Sequence, residues 1–111
     1  MTQNIDNLEE KAGFKLDQIC QAHGANFGAM CSVCKAQQDR ETLVKGIRAE
    51  TVVRCNKDGC EGPVKPEIVF FGEDLPDNFS EACEIASGAD LLIVIGTALA
   101  VSPFNSIVEM I

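Results

Sequence analysis

The sequence has little positive charge and no long hydrophobic run. Nine Lys and Arg residues stand against 17 Asp and Glu residues, which gives a formal net charge of −8 at pH 7. Because binding to phosphate groups relies on clustered Lys and Arg, this balance predicts no direct binding of nucleic acid. It is compatible with a basic protein or peptide as partner, and equally with an acidic surface that binds nothing. The longest apolar run, residues 89–95 interrupted by Asp90, is too short to cross a membrane, so no membrane association is expected.

The sequence also shows no secretory leader, although it contains six cysteines. Disulfides are rare in reducing compartments, so cysteines in a chain without a leader are more often metal ligands. We therefore expect an intracellular protein, either nuclear or cytoplasmic. The single histidine, His23, would on its own more often be structural or merely exposed than catalytic.

Four of the six cysteines form two pairs with the spacing of a zinc site. Two residues separate Cys31 from Cys34, four separate Cys55 from Cys60, and twenty lie between the pairs. Each short loop can bring two thiolates to one side of a tetrahedron, so the pattern predicts one Zn²⁺ bound by four thiolates. Such a closed shell leaves no position for water or substrate, which indicates a structural site. Four unrelated buried thiols, or two disulfides, are the alternatives.

The segments outside the cysteine region predict an α/β fold. Residues 90–97 form a nearly continuous apolar run that ends in a glycine turn, as in a parallel strand buried on both faces. Residues 76–87 have the apolar spacing of a helix, and Ser102 and Pro103 are typical of a helix start. A parallel strand needs parallel neighbours joined by crossover helices, and only one such strand is visible. We therefore expect part of a doubly wound, Rossmann-like parallel-sheet domain.

Shorter elements are expected before and after the cysteines. Asp6 favours a short helix over residues 7–12. The apolar pattern of residues 15–22 does not separate strand from helix, and we interpret its second half as a strand that leads to His23. Residues 64–71 are β-branched and aromatic, and Pro66 restricts this strand to an edge or entry position.

The position of the cysteines predicts two structural units. Residues 25–63 are small, polar and cysteine-bearing, with one short helix near residues 39–45, and are expected to form an inserted zinc-ribbon module. Residues 1–24 and 64–111 are expected to form the partial Rossmann-like domain.

Seven short motifs occur in the order typical of one family. They are Thr2-Gln3-Asn4-Ile5-Asp6, Leu8-Glu9-Glu10-Lys11-Ala12-Gly13, Ala22-His23-Gly24, the paired cysteines, Lys65-Pro66-Glu67-Ile68-Val69-Phe70-Phe71-Gly72-Glu73, Leu75-Pro76 and Ile95-Gly96-Thr97-Ala98-Leu99. Together they resemble the sirtuin family of NAD-dependent protein deacylases, most of all its eukaryotic deacetylase branch. The resemblance implies transfer of an acetyl group from a protein lysine to ADP-ribose, with release of nicotinamide. The implied co-substrate is NAD, and the implied partners are acetylated lysine-containing proteins or peptides.

The resemblance also implies roles on the cofactor side. His23 is similar to the general base that activates a ribose hydroxyl after nicotinamide has left, a role that imidazole suits because it exchanges protons near neutral pH. The implied cofactor-binding residues are Gln3, Asn4, Asp6, Gly96 and Thr97. The first three offer amide groups and a carboxylate to the nicotinamide ribose and carboxamide, although Asp6 also serves as a helix cap. The last two resemble a loop at the carboxyl end of a strand, where open α/β sheets bind ligands.

On the substrate side, Val69 and Phe71 resemble walls of the apolar tunnel that holds the acyl-lysine chain. Acetylation removes the lysine charge, so an apolar tunnel can accept the side chain. Gly72 and Glu73 resemble the segment that pairs with the substrate backbone as an added strand. Without the resemblance, residues 68–71 would be interpreted simply as a core strand.

The chain departs from the family pattern in three places. Ala98 stands where the family usually has serine, and the gap between Cys55 and Cys60 is four residues instead of two. The glycine-rich loop that the family places before Thr2 and the adenine-binding segments expected beyond Ile111 are also absent. We therefore expect a longer parent protein to be the deacetylase and the 111 residues alone to be inactive. The alternative is a non-catalytic zinc-ribbon interaction module, or a truncated product that acts as a binding protein.

Overall fold

The computed structural model describes residues 1–111. Its helices are α1, Leu8–Lys11; α2, Arg40–Arg48; and α3, Asn78–Ser87. Its strands are β1, Gly24–Cys31, and β2, Val64–Ile68, and two short 3₁₀ helices lie at Leu16–Gln18 and Phe104–Glu109. None of the helices has the length and apolar character that crossing a bilayer requires.

The two strands pair antiparallel and form one sheet. Gly24 lies opposite Ile68 and Cys31 lies opposite Val64, with a break in the register between Gly24 and Ala29. No third strand pairs with either of them, and only isolated contacts such as the Met30–Gln37 bridge and the bond from the Val64 N–H to the Val53 carbonyl lie on their outer edges. Pro66 therefore occupies an edge strand, as its missing N–H requires. The strand expected over residues 64–71 is thus confirmed as far as residue 68, and its last residues leave the sheet.

The main apolar cluster lies where α2 packs on this sheet. Leu43 of α2 contacts Ala29 and Val64, and Val53 packs against the three. The Asp39 side chain accepts a 2.7 Å hydrogen bond from the Thr42 backbone N–H, which satisfies a free donor at the start of the helix. The Thr42 hydroxyl, and then its backbone N–H, hold the pKa of Asp39 below its ordinary value. The helix expected near residues 39–45 is therefore confirmed, with a C-terminal extension.

The prediction of a parallel strand over residues 90–97 is wrong for this structure. No backbone hydrogen bond joins residues 91–95 to another segment, and Leu91, Ile93 and Ile95 are 75%, 72% and 84% exposed. A strand that is apolar on both faces needs parallel partners at its edges and helices above and below. The chain supplies no second parallel strand, so the segment stays irregular.

The prediction of a strand just before His23 is also wrong. The segment contributes only one isolated parallel bridge, between Thr2 and Gln21. Two backbone hydrogen bonds support this bridge, from Thr2 to the Cys20 carbonyl at 2.8 Å and from Ala22 to the Thr2 carbonyl at 3.0 Å. The bridge places residues 2–4 beside the segment that leads into β1.

The remaining helices differ from expectation mainly at their ends. Asp6 accepts a 3.2 Å hydrogen bond from the Leu8 backbone N–H, as expected for a residue before α1. The helix expected over residues 76–87 begins at Asn78. The helix expected from Pro103 is a 3₁₀ helix instead of an α-helix.

Candidate functional site

The four paired cysteines form one compact cluster. Their sulfur atoms all lie within 4.8 Å of one another. The Sγ atoms of Cys31 and Cys60 are 3.7 Å apart, and those of Cys34 and Cys55 are also 3.7 Å apart. A tetrahedral Zn²⁺ with Zn–S bonds of about 2.3 Å requires sulfur separations of about 3.8 Å. All four thiols are free, so the cluster fits a zinc ion and excludes the disulfide alternative for this structure.

Backbone amides orient the Cys31 sulfur, the first of the four. Cys31 ends β1, and the N–H groups of Val33 and Cys34 point at its sulfur at 3.4 and 3.5 Å. Such hydrogen bonds orient metal-binding thiolates and disperse their charge. The tight turn after β1 therefore places both ligands of the first pair on one side of the cluster.

The second pair uses a turn with one left-handed residue. The Cys60 backbone N–H donates to the Lys57 carbonyl at 3.0 Å, and Gly59 between them has φ +74°. Glycine adopts this conformation without strain. The Lys57 N–H in turn points at the Cys55 sulfur at 3.4 Å. The four residues between Cys55 and Cys60 thus form a compact loop that still closes the metal site.

The four thiols affect one another's ionisation. The Cys34 backbone N–H has the largest effect on Cys31, whose pKa it lowers to about 6 although burial opposes it. For Cys55, the Lys57 N–H lowers the pKa, but burial and the neighbouring thiols outweigh it and raise the pKa to about 11. Thiolates this close repel one another, so all four ionise together only with a cation between them.

Gln38 supports the cluster from outside, although no sequence signal singled it out. Its Nε2 donates to the Cys55 sulfur at 3.3 Å, and its Oε1 accepts from the Asn56 backbone N–H at 3.1 Å. The side chain therefore links the two halves of the module at a metal ligand.

His23 lies immediately before β1, where the two strands come together. Its backbone carbonyl accepts a 2.9 Å hydrogen bond from the Val69 N–H. Gly24 has φ +67°, and a Cβ at this position would overlap the Glu67 carbonyl. Only glycine allows so close an approach. The His23 ring faces residues 2–4, and its Nδ1 atom is 3.2 Å from the Gln3 carbonyl oxygen.

Two cavities meet at His23. The first has a volume of about 850 Å³, is largely apolar and extends along residues 92–101. The second has a volume of about 660 Å³ and extends along residues 68–73 and 101–103. Three polar residues, Gln3, Asn4 and His23, line both cavities, together with the apolar Val101. A group bound in either cavity can therefore contact the same three residues.

The structure divides the expected site residues between these cavities. Besides the three shared residues, the first cavity is lined by Gly96 and Thr97. The second is lined by Asp6, Val69, Phe71, Gly72 and Glu73. The cysteine cluster contributes to neither, as expected for a structural site.

Lys65 holds the loop after β2, a role that sequence reasoning missed. Its ammonium group is 3.0 Å from the Glu73 carboxylate, donates to the Ile68 carbonyl at 2.6 Å and lies 4.4 Å from the centre of the Phe70 ring. Glu73 also accepts from the Phe70 backbone N–H at 2.8 Å. That N–H, and then Lys65, lower the pKa of Glu73. Both ends of the loop from residue 68 to residue 73 are thereby fixed, while Phe71 at its tip is 99% exposed.

Comparisons with known proteins agree with this arrangement. A family model described as the Sir2 family matches residues 1–103. The chain is 43% identical over 110 residues to the NAD-dependent deacetylase sir2A of Dictyostelium discoideum, covering 97% of this chain and 22% of that protein. It is 42% identical over 110 residues to the NAD-dependent protein deacetylase sirtuin-3 of Mus musculus, covering 99% of this chain and 32% of that protein. The chain thus spans less than a third of these relatives.

Solved structures give the same result at the level of the fold. The chain superimposes on a structure of Sir2 with a p53 peptide and NAD⁺ with a TM-score of 0.83 and 36% sequence identity. The match covers 97% of this chain and 44% of that chain. The α/β fold class and the sirtuin resemblance are both confirmed by this likeness. The family match over nearly the whole sequence, together with the close superposition, shows that this chain belongs to the Sir2 family.

Proposed function

We propose that this chain is part of an NAD-dependent protein-lysine deacetylase, which transfers acetyl from lysine to ADP-ribose and releases nicotinamide. The observation that carries the proposal is the position of His23 between two cavities of different character. A reaction between a dinucleotide and a modified side chain needs two binding cavities that share one proton acceptor. His23 is the only imidazole in the chain and lines both cavities.

The cavity next to Thr97 suits the co-substrate. Gly96 has φ +73°, and a Cβ built on it would meet no atom within 4 Å, so the backbone is open to the cavity. Gln3, Asn4 and Thr97 offer amide and hydroxyl groups to ribose hydroxyls and a carboxamide, and Asp6 adds a carboxylate from the second cavity. When bound, NAD supplies the ribose carbon that nicotinamide leaves. Ala98 offers no hydroxyl to this cofactor.

The cavity beside residues 68–73 suits the acyl-lysine chain. Val69 and Phe71 supply apolar surface, and the Val69 carbonyl accepts no hydrogen bond within the chain. This carbonyl can accept a bond from the amide N–H of an acetylated lysine. Gly72 and Glu73 follow directly on an exposed loop, where an extended peptide can pair with the backbone. The proposed partners are therefore acetylated lysine-containing proteins or peptides.

The zinc ion is proposed to be structural. Cys31, Cys34, Cys55 and Cys60 would hold one Zn²⁺ in a closed shell and thereby fold residues 25–63 as a module inserted between residues 1–24 and 64–111. Six free thiols and a thiolate metal site are suited to a reducing compartment. We propose on this ground that the protein is intracellular, in the nucleus or the cytoplasm.

NAD-dependent release of nicotinamide from an acetyl-lysine peptide tests the proposed activity. A longer protein that contains these residues should release nicotinamide and deacetylate the peptide in equal amounts. The 111 residues alone should release none, because the first cavity is open to solvent where Ile93, Val94 and Ile95 are exposed. A zinc-loaded longer protein without any release would contradict the proposal and favour a non-catalytic zinc-ribbon module that binds protein.

A further inference from the structure

The Thr97 and Gln3 side chains are joined by a hydrogen bond across 94 positions of sequence. The Thr97 hydroxyl lies 2.7 Å from Gln3 Oε1, which accepts its proton. The same hydroxyl oxygen accepts the Leu99 backbone N–H at 3.0 Å. A threonine hydroxyl carries one proton, and here that proton is directed at Gln3.

The backbone carbonyl of the same glutamine faces the histidine ring. Its oxygen is 3.2 Å from Nδ1 of His23. A carbonyl oxygen can only accept, so this contact is a hydrogen bond only when Nδ1 carries the proton. In the neutral ring the lone pair is then at Nε2. The contact therefore selects one of the two neutral tautomers.

The main chain is hydrogen-bonded on both sides of Gln3, and the Ile5 carbonyl after it accepts from the Asn26 N–H at 2.9 Å. Thr2 is fixed by its bridge to Gln21, and its hydroxyl accepts the Asn4 backbone N–H at 3.2 Å. The Asn4 N–H belongs to the same planar peptide unit as the Gln3 carbonyl, so this bond holds the carbonyl from the main-chain side. The Gln3 side chain is held separately by Thr97. Gln3, whose carbonyl meets the ring, is therefore held by its main chain and, through its side chain, by Thr97 across the first cavity.

We propose that Thr97 is a positioning residue for His23. It holds Gln3 so that the Gln3 carbonyl keeps the proton on Nδ1 and leaves Nε2 free to accept another. The inference rests on the proposed function, in which His23 is the base. In that step Nε2 would accept the proton of a ribose hydroxyl, and the Gln3 carbonyl would stabilise the resulting imidazolium through the Nδ1–H bond.

The tautomer can be measured directly, because the chain has a single histidine. Long-range ¹H–¹⁵N correlation spectra of the zinc-loaded 111-residue chain, recorded near pH ~8.5 where an ordinary histidine is neutral, distinguish a protonated from an unprotonated ring nitrogen. The unmodified chain should show a protonated Nδ1 and an unprotonated Nε2. Thr97→Val removes the donor at nearly constant volume and should shift the ring toward the Nε2–H form, which free histidine prefers.

Two further variants complete the test. Thr97→Ser retains the hydroxyl and should restore the Nδ1–H form, whereas Gln3→Ala keeps the carbonyl but loses the acceptor and should behave like Thr97→Val. Zinc content and the amide chemical shifts of β1 report whether each variant is folded. If Thr97→Val does not fold, the tautomer of Gln3→Ala tests the inference instead.

An Nε2–H tautomer in the unmodified chain, or an unchanged tautomer in both Thr97→Val and Gln3→Ala, would overturn the inference. None of these spectra depends on NAD or on turnover. Failure of the deacetylase assay with an intact tautomer effect would therefore contradict the proposed function alone.

Discussion

At the scale of the residue, His23 is placed by main-chain contacts instead of by side-chain packing alone. Its carbonyl accepts a hydrogen bond from Val69, the residue after β2, and its ring contacts the Gln3 carbonyl. Gly24 next to it permits the close approach of the strands. A side chain held in this way keeps its orientation without being buried, which leaves the ring open to both cavities.

Replacing His23 by alanine tests its proposed role as the base. In a longer protein that contains these residues, His23→Ala should slow deacetylation by on the order of 10²–10⁴-fold. Exchange of labelled nicotinamide should suffer less, because the family's base acts after nicotinamide has left. Peptide deacetylation and exchange are measured on the same preparation. An equal loss of both rates would indicate that His23 positions the co-substrate or supports the fold.

At the scale of the element, the zinc-binding turns and α2 pack around the two-stranded sheet and form one structural unit. The turns supply four sulfurs at tetrahedral spacing, and α2 covers the sheet from which Cys31 extends. The apolar cluster of Ala29, Leu43 and Val64 is small, so it contributes little stability by itself. Metal binding therefore has to supply much of the folding free energy of this module.

Zinc removal is expected to unfold the module. Freshly reduced protein should contain one zinc per chain, with Zn–S distances of about 2.3 Å by X-ray absorption. Chelation should abolish the ordered structure of residues 25–63. Acidification should do the same, because thiols must lose their protons to bind metal and the resulting thiolates regain them as pH falls. Cys55→Ser should weaken zinc binding strongly. Cys83→Ser, at a thiol outside the cluster, is the matched control, and elemental analysis without zinc would contradict the prediction.

Elements with local signals could be predicted from the sequence, and elements that depend on distant partners could not. The cysteine spacing predicted the metal cluster, and Asp39 with the residues after it predicted α2. Residues 91–95 have the composition of a strand, but strand structure also requires a neighbour, and the sequence of the segment says nothing about that neighbour. Lys65 and Gln38 were missed for the same reason, since their partners are defined only by the fold.

At the scale of the whole molecule, the chain is more extended than a compact domain of its length. Its radius of gyration is 16.1 Å, whereas a compact domain of this size has about 13 Å. Only 12 of 111 residues are buried, and several large apolar side chains beyond β2 are exposed. Several of residues 92–101, which line the first cavity, are therefore exposed to solvent.

Hydrogen exchange of the zinc-loaded 111-residue chain tests this view of the molecule. Amides of Leu92, Ile93 and Val94 should exchange almost as fast as in an unfolded peptide, because no backbone bond protects them. The Val64 amide, bonded to the Val53 carbonyl at 2.9 Å, should be protected until zinc is removed and serves as the internal control. Unpaired apolar segments also associate edge to edge. If these amides become protected only as the protein concentration rises, and the sedimentation coefficient rises with it, the segments pair between chains. Strong protection of Leu92 to Val94 in a monomer would show that the chain builds a complete sheet of its own and that the open cavity described above closes in solution.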